Sequence, residues 1–181
     1  MNRDSDWVLV KSFKDGDQKA FNQLICKYKK EVFRLILKMI RNTEDSKDLS
    51  QEVFVKAYRK LKDFREESSF KTWLFRIAIN SCINHNRKKK LRSFVSFFEI
   101  AKPLTSKDSP LKEMEKSKIQ KDIDQAILKL PEKQRQVFVL RHYQNLSHSQ
   151  IAEITGKTEG AVKSNYFQAV KKLKKYLSEY R

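Results

Sequence analysis

From Trp7 to about Lys90 apolar positions recur at helical spacing, broken first at Asp15-Gly16-Asp17. A stripe from Ala20 through Leu24, Tyr28, Val32, Leu35 and Ile36 to Met39 predicts one long helix, which Asn42-Thr43 ends. A second helix is predicted from Asp45 to Leu61, then a loop, DFREESS, and a third helix from Phe70 to about Lys88. Helices of this length and number can share one small core. The periodicity then fails through KKKLRSFVSFFEIAKPLTSKDSP, which reads as a linker, although Phe94, Val95, Phe97 and Phe98 are too apolar for a wholly free tether and suggest a segment that docks. Helical patterning resumes at Leu111, in elements of roughly 112–129, 132–143, 148–155 and 159–179, with Leu130-Pro131 marking a boundary because Pro suits a first helical turn.

The expectation is an all-α chain of two small helical domains, 1–90 and 119–181, joined by a flexible linker over 91–118. Composition agrees: three Gly and three Pro leave little material for turn-rich β architecture. No apolar run approaches the eighteen or so residues of a membrane span, and MNRDSDWVLV carries no secretory pattern, so a soluble, cytoplasmic protein is expected. Cys26 and Cys82 lack metal or disulfide spacing and read as plain core residues, while His142 and His148 read as surface or structural histidines.

Charge changes the picture. Forty Lys and Arg against twenty-two Asp and Glu give a formal charge of +18, which points to a polyanionic partner. Near the C-terminus, Ser147 and Thr158 can cap two helices around Gly156. Ala152, Gly156 and Val162 satisfy the needs of a helix-turn-helix: a small residue where helices touch, a left-handed turn and an apolar closure. In the last helix Val162, Tyr166, Ala169, Val170, Leu173 and Leu177 share an inner face. Outward lie Ser164, Phe167, Gln168 and Lys171, flanked by Lys163 and Lys174. Gln can be bidentate to adenine, Phe can meet a thymine methyl, and lysines meet phosphates, so this face suits a major groove.

Upstream, FKTWLFRIAINSCINHNRKKK places Phe70, Leu74, Ile77, Ala78 and Ser81 on a core stripe. Thr72, Arg76, Asn80, Ile83 and Arg87 are expected on the opposite side, with Trp73 at its flank. Basic groups, an amide and a ring together are what unstacked bases need. In the preceding helix, Leu49, Val53, Phe54, Ala57 and Leu61 face inward while Asp48, Gln51, Glu52, Val55 and Arg59 face out. Two carboxylates around a valine make a poor DNA face in a chain this basic, and suit protein docking.

The blocks DLSQEVFVKAYRKLKDF, FKTWLFRIAINSCIN and LPEKQRQVFVLRHYQNLSHSQIAEITGKTEGAVKSNYFQAVKKL, in this order around a loose linker, resemble a bacterial extracytoplasmic-function sigma factor of RNA polymerase. The resemblance implies a region-two helical bundle followed by a region-four helix-turn-helix. It implies that Asp48, Gln51, Glu52 and Val55 bind the clamp helices of the polymerase β′ subunit. Phe64 through Lys71, with Trp73, Arg76, Asn80, Asn84 and Arg87, would open and read the minus-ten element as single strand. Lys163, Ser164, Asn165, Phe167, Gln168 and Lys171 would read the minus-thirty-five element as duplex. Gln168 and Asn165 stand where the family favours basic residues. The implied partners are core RNA polymerase, promoter DNA and an anti-sigma factor, with no cofactor, metal or small-molecule substrate.

Two other readings fit parts of the pattern. A stand-alone helix-turn-helix regulator of duplex DNA leaves the Trp73/Arg76/Asn80 stripe and the acidic helix without a role. A basic RNA-binding or ribosome-associated protein accounts for the charge alone. An enzyme has least support, since no metal cluster, nucleophile constellation or GxxxxGK[ST] phosphate loop occurs.

Overall fold

The computed structural model describes residues 3–95 and 111–178, with side chains described over 5–91 and 118–178. All regular structure among the described residues is helical, as expected. The order is α1 (Arg3–Lys14), α2 (Gln18–Ile40), α3 (Thr43–Lys60), α4 (Phe70–Val95), α5 (Leu111–Lys129), α6 (Glu132–His142), α7 (His148–Thr155) and α8 (Glu159–Tyr176).

Local chemistry sets the breaks. Gly16 takes φ 109° after α1, and Asp17 caps α2 by accepting from the Lys19 amide at 2.8 Å. Asn42 does the same for α3, accepting from the Asp45 amide at 2.8 Å. The first four helices close on Leu24, Val32, Leu35 and Ile36 of α2, Leu49, Val53 and Ala57 of α3, and Leu74 and Ala78 of α4, all buried. Each of these Leu, Val and Ile side chains contributes roughly 1.5–3 kcal/mol by leaving water, and the alanine methyls less. In the second half Val139, Leu140, Ile151, Ile154, Val162, Ala169 and Leu173 form the equivalent core.

Two features depart from the sequence reading. Helix α4 continues to Val95 and α5 begins at Leu111, so helix enters both ends of the segment expected as linker. Arg87 to Lys90 are exposed, and straight-chain basic residues are good helix formers when solvated, so a lysine run does not stop a helix. Phe97 and Phe98, expected to dock, lie outside the described residues.

The second departure is that the two halves share one continuous hydrophobic cluster. Helix α4 packs on α7 and α2 on α6. Thr72, expected on the outer side of α4, is buried, as are Phe75, Ile79 and Cys82. Periodicity reveals one buried stripe per helix, whereas α4 is covered on two sides. Its second stripe lies about 120° from the first at 100° per residue.

Candidate nucleic-acid interface

The turn between α7 and α8 is fixed by three local devices. Ser147 and Gln150 form a reciprocal capping box at the start of α7, with bonds of 3.1 and 2.9 Å. Gly156 ends α7 at φ 64°, ψ 36°, donating its amide to the Ala152 carbonyl. Thr158 then caps α8 by accepting from the Ala161 amide at 3.2 Å. Behind the turn, Val162 is fully buried and Tyr166 stacks on Phe138 at 6.2 Å between ring centroids. His142 stacks on the same Phe138, and His148 meets Tyr166 edge-on, so both histidines are packing residues.

This scaffold points the other side of α8 into solvent. Lys163, Ser164, Gln168 and Lys171 are exposed, and Phe167 retains 65% of its accessible surface. A phenylalanine that open is not a core residue. Lys163 is paired with Glu159 one turn earlier at 2.9 Å, and that hydrogen bond holds the exposed Glu159 carboxyl below its usual range. The sixth residue expected at this face, Asn165, sits differently: it is half-buried, and its side-chain amide donates to the Ala161 carbonyl at 2.7 Å, within its own helix.

On α3 the expected docking stripe is intact. Asp48, Gln51, Glu52 and Val55 are all exposed, Val55 by 49%, with Glu52 tied only to Lys56 in the next turn at 2.6 Å.

On α4, Asn80, Asn84, Arg76 and Arg87 are exposed along one strip with half-buried Trp73 at its upper end. Two residues expected beside them play other parts. Phe64 is buried, with its ring packed 5.0 Å from that of Trp73. Lys71 is half-buried, bound to Glu31 at 2.6 Å and set over the Phe75 ring at 5.3 Å. Its charge is engaged within the bundle. The resemblance named both by family position, which does not report burial: Phe64 lies within the loop and Lys71 in the first turn of α4.

The loop before α4 is held firmly. The Lys14 ammonium donates to the Phe64 carbonyl and to Glu66, each at 2.7 Å. Glu66 sits at φ 65°, a left-handed conformation that costs a non-glycine residue about 1–2 kcal/mol. Between this loop and α1 opens a pocket of about 340 Å³ lined by Asp6, Trp7, Val10, Phe64, Glu66, Ser68, Ser69 and Phe70. The contribution of α1 was missed from sequence. Its signal is Trp7 in an amphipathic stretch, left 41% exposed. Asp6 anchors that helix from within, accepting from the Tyr28 hydroxyl and from Lys27. Burial and then the Asp6 hydrogen bond push the Tyr28 phenol well above its ordinary range.

Among the described residues, no cluster of His, Cys, Asp and Glu could hold a metal ion, and no helix is long and apolar enough to cross a membrane. What the surfaces offer is recognition: one face suited to duplex grooves, one suited to unstacked bases, and one acidic strip suited to protein.

Both halves of the chain match known families. Residues 24–92 match the Sigma-70 region 2 family and residues 120–173 match Sigma-70, region 4. The RNA polymerase sigma-H factor of Pseudomonas aeruginosa is 34% identical over 98% of this chain and 96% of its own length. The ECF RNA polymerase sigma-E factor of Escherichia coli is 35% identical over 91% of this chain and 90% of its own. Two solved structures share the fold: CnrH in complex with the cytosolic domain of CnrY (TM-score 0.74, 24% identity, 97% of this chain and 98% of that one), and the sigma factor RpoE in complex with the anti-sigma factor NepR from Bartonella quintana (TM-score 0.73, 23% identity, 90% and 99%). The chain therefore belongs to the extracytoplasmic-function family of RNA polymerase sigma factors, proteins of promoter-directed transcription initiation.

Proposed function

We propose that this sigma factor reads its promoter in two chemically different ways. Residues 119–181 engage the minus-thirty-five element as duplex, with Ser164, Phe167 and Gln168 toward base edges and Lys163 and Lys171 toward phosphates. Residues 1–90 capture the minus-ten element as single strand, with Trp73 offering a ring, Asn80 and Asn84 hydrogen bonds, and Arg76 and Arg87 charge. Phe64 and Lys71 position that surface and do not touch DNA. The segment 91–118 joins the two readers. The observation that carries the reading is the α4 strip, where amides and guanidinium groups surround a half-buried indole beside an open pocket; a duplex-only regulator needs none of it.

Everting a base costs a few kcal/mol of unstacking, and stacking on an aromatic returns about 1–3 kcal/mol per base. Melting then proceeds by capture, and the polymerase supplies all catalysis. Core RNA polymerase docks its β′ clamp helices on Asp48, Gln51, Glu52 and Val55. An anti-sigma factor, the class of partner bound to the RpoE relative, controls access to these surfaces, and the protein works in the cytoplasm where promoters are.

Run-off transcription by purified core polymerase on genomic fragments, with and without this protein, tests the reading. New 5′ ends sharing two upstream elements are expected. Tight DNA binding with no new starts would favour the duplex-only regulator.

A further inference from the structure

Two of the chain's three glycines answer to the backbone. Gly16 takes φ 109° and Gly156 φ 64°, conformations in which a side chain is strained. Gly160 does not. It lies inside α8, outside the left-handed region, and a methyl group built on it would meet no atom of the described residues within 4 Å. The first turn of α8 is closed without its help. The Thr158 hydroxyl accepts from the Ala161 amide at 3.2 Å, and the Thr158 carbonyl accepts from the Val162 amide at 3.1 Å. Alanine is the better helix former, because glycine gives up more backbone freedom on folding. The fold therefore has no use for glycine at this position and would be at least as stable with alanine.

Its place on the surface supplies a reason. At 100° per residue Gly160 lies within about 20° of Phe167 and Lys171, and about 40° from Ser164, around the axis of α8. All four are exposed. Lys163 and Gln168 stand to either side, so Gly160 is at the centre of the arc assigned to the groove, and in its first turn. Recognition helices of this class enter the major groove by their N-terminal residues, and each Cα–Cβ bond leans toward the helix N-terminus. A methyl on Gly160 would accordingly project ahead of the helix, toward the floor of the groove. What projects from that floor at a T·A pair is the thymine C5-methyl.

We propose that Gly160 is the point of closest approach of α8 to the promoter, seated over one base pair of the minus-thirty-five element, where its missing side chain leaves room for a pyrimidine C5-methyl. The inference rests on α8 reading duplex DNA, and adds to that reading a positioning residue. By letting the backbone come close, Gly160 sets the depth at which Ser164 and Phe167 reach their own base edges. Seven residues separate it from Phe167, about 10.5 Å of helix. At about 3.4 Å per step, the pair under Gly160 therefore lies within about three base pairs of the pair under Phe167.

Gly160→Ala in the full-length protein separates fold from contact. Its thermal unfolding midpoint, followed by circular dichroism, should equal or exceed that of the wild type. Its affinity for the minus-thirty-five duplex identified by run-off transcription should fall roughly fivefold or more, the equivalent of forcing one methyl into a packed contact. The duplex is then varied one pair at a time by the pyrimidine methyl alone: deoxyuridine for thymidine removes it, and 5-methyldeoxycytidine for deoxycytidine adds it. The pair met by Phe167 is the one whose methyl matters to the wild type and not to Phe167→Ala. Within about three pairs of it, Gly160→Ala should bind roughly threefold or more better without the methyl than with it, at a pair where the wild type is indifferent.

Wild-type affinity in Gly160→Ala would overturn the close approach. A loss that no methyl change relieves would overturn the seat over a base pair, and a lowered unfolding midpoint would show that the fold itself needs the glycine. Failure of the duplex-reading assignment has a separate signature: the wild-type protein would bind every duplex of one length alike.

Discussion

Phe64 lies directly beneath Trp73, with ring centroids 5.0 Å apart and planes tilted by 41°, and Phe70 meets the same indole at 5.7 Å. Two buried rings thus hold a third half-exposed at the end of the exposed strip of α4. The arrangement separates support from contact. Phe64→Ala removes a buried ring and should cost roughly 3–5 kcal/mol of stability, lowering the midpoint of thermal unfolding followed by circular dichroism. Trp73→Ala should cost less stability but weaken a single-stranded minus-ten oligonucleotide by about 1–3 kcal/mol, with the minus-thirty-five duplex unaffected. If both variants lose only stability, the indole is a packing residue.

The Lys14 latch governs the loop between Leu61 and Phe70. It joins α1 to the Phe64 carbonyl and to Glu66, whose backbone is left-handed. An exposed ion pair contributes about 0–1 kcal/mol, and relief of left-handed strain by glycine about 1–2 kcal/mol. Glu66→Gly should therefore leave stability level or slightly raised while freeing the loop. Lys14→Ala should free it without that compensation. Both should lower open-complex formation, measured by permanganate reactivity of unpaired thymines, more than they lower binding to closed promoter duplex. An undiminished permanganate signal in both would show that the loop needs no latch.

How much of this was legible in the sequence follows from what each signal reports. Helix ends were legible because Asp17, Asn42, Ser147, Gly156 and Thr158 each satisfy backbone groups locally, and local chemistry survives any tertiary context. The exposed faces of α3 and α8 were legible because each helix buries only one side. Thr72 was misplaced for the opposite reason: α4 is covered on two sides, and a second buried stripe looks like the outer face until its cover is known. Phe64 was named by family position as well, which does not report that its ring is buried. Asn165 was named by family position alone, which does not report that its amide is bound to the Ala161 carbonyl. The α1 wall of the pocket had no signal beyond one tryptophan, because pockets between distant segments are tertiary facts.

The acidic strip of α3 predicts a clean separation of folding from docking. Asp48, Glu52 and Val55 are exposed, and only the Glu52–Lys56 pair is lost when Glu52 changes. Asp48→Lys combined with Glu52→Lys should leave the unfolding midpoint nearly unchanged, since surface substitutions usually fall within about 0.5 kcal/mol. Opposed charges should abolish association with core polymerase in a gel-filtration or interferometry assay. Because the chain is already strongly basic, general DNA affinity should rise slightly in the same variant, so any loss of transcription cannot be assigned to weakened DNA contact. Undiminished core binding would remove α3 from the docking surface.

Helix α8 offers the sharpest distinction between reading and positioning. Phe167 keeps 65% of its surface exposed, so Phe167→Ala should not destabilise the fold, yet it should weaken promoters that carry a thymine at the contacted step. Gln168→Ala should relax discrimination at a neighbouring base pair by about 1–3 kcal/mol if the amide is bidentate. Lys163→Ala should weaken every promoter alike and flatten the salt dependence of binding by about one unit, the mark of a lost phosphate contact. Asn165→Ala should leave DNA affinity and discrimination unchanged, because the amide is bound to the helix's own backbone. Binding of each variant to a panel of single-base minus-thirty-five substitutions at two salt concentrations checks all four together. Equal losses on every sequence for Gln168→Ala and Lys163→Ala would remove base reading from α8 and leave it a phosphate-binding helix.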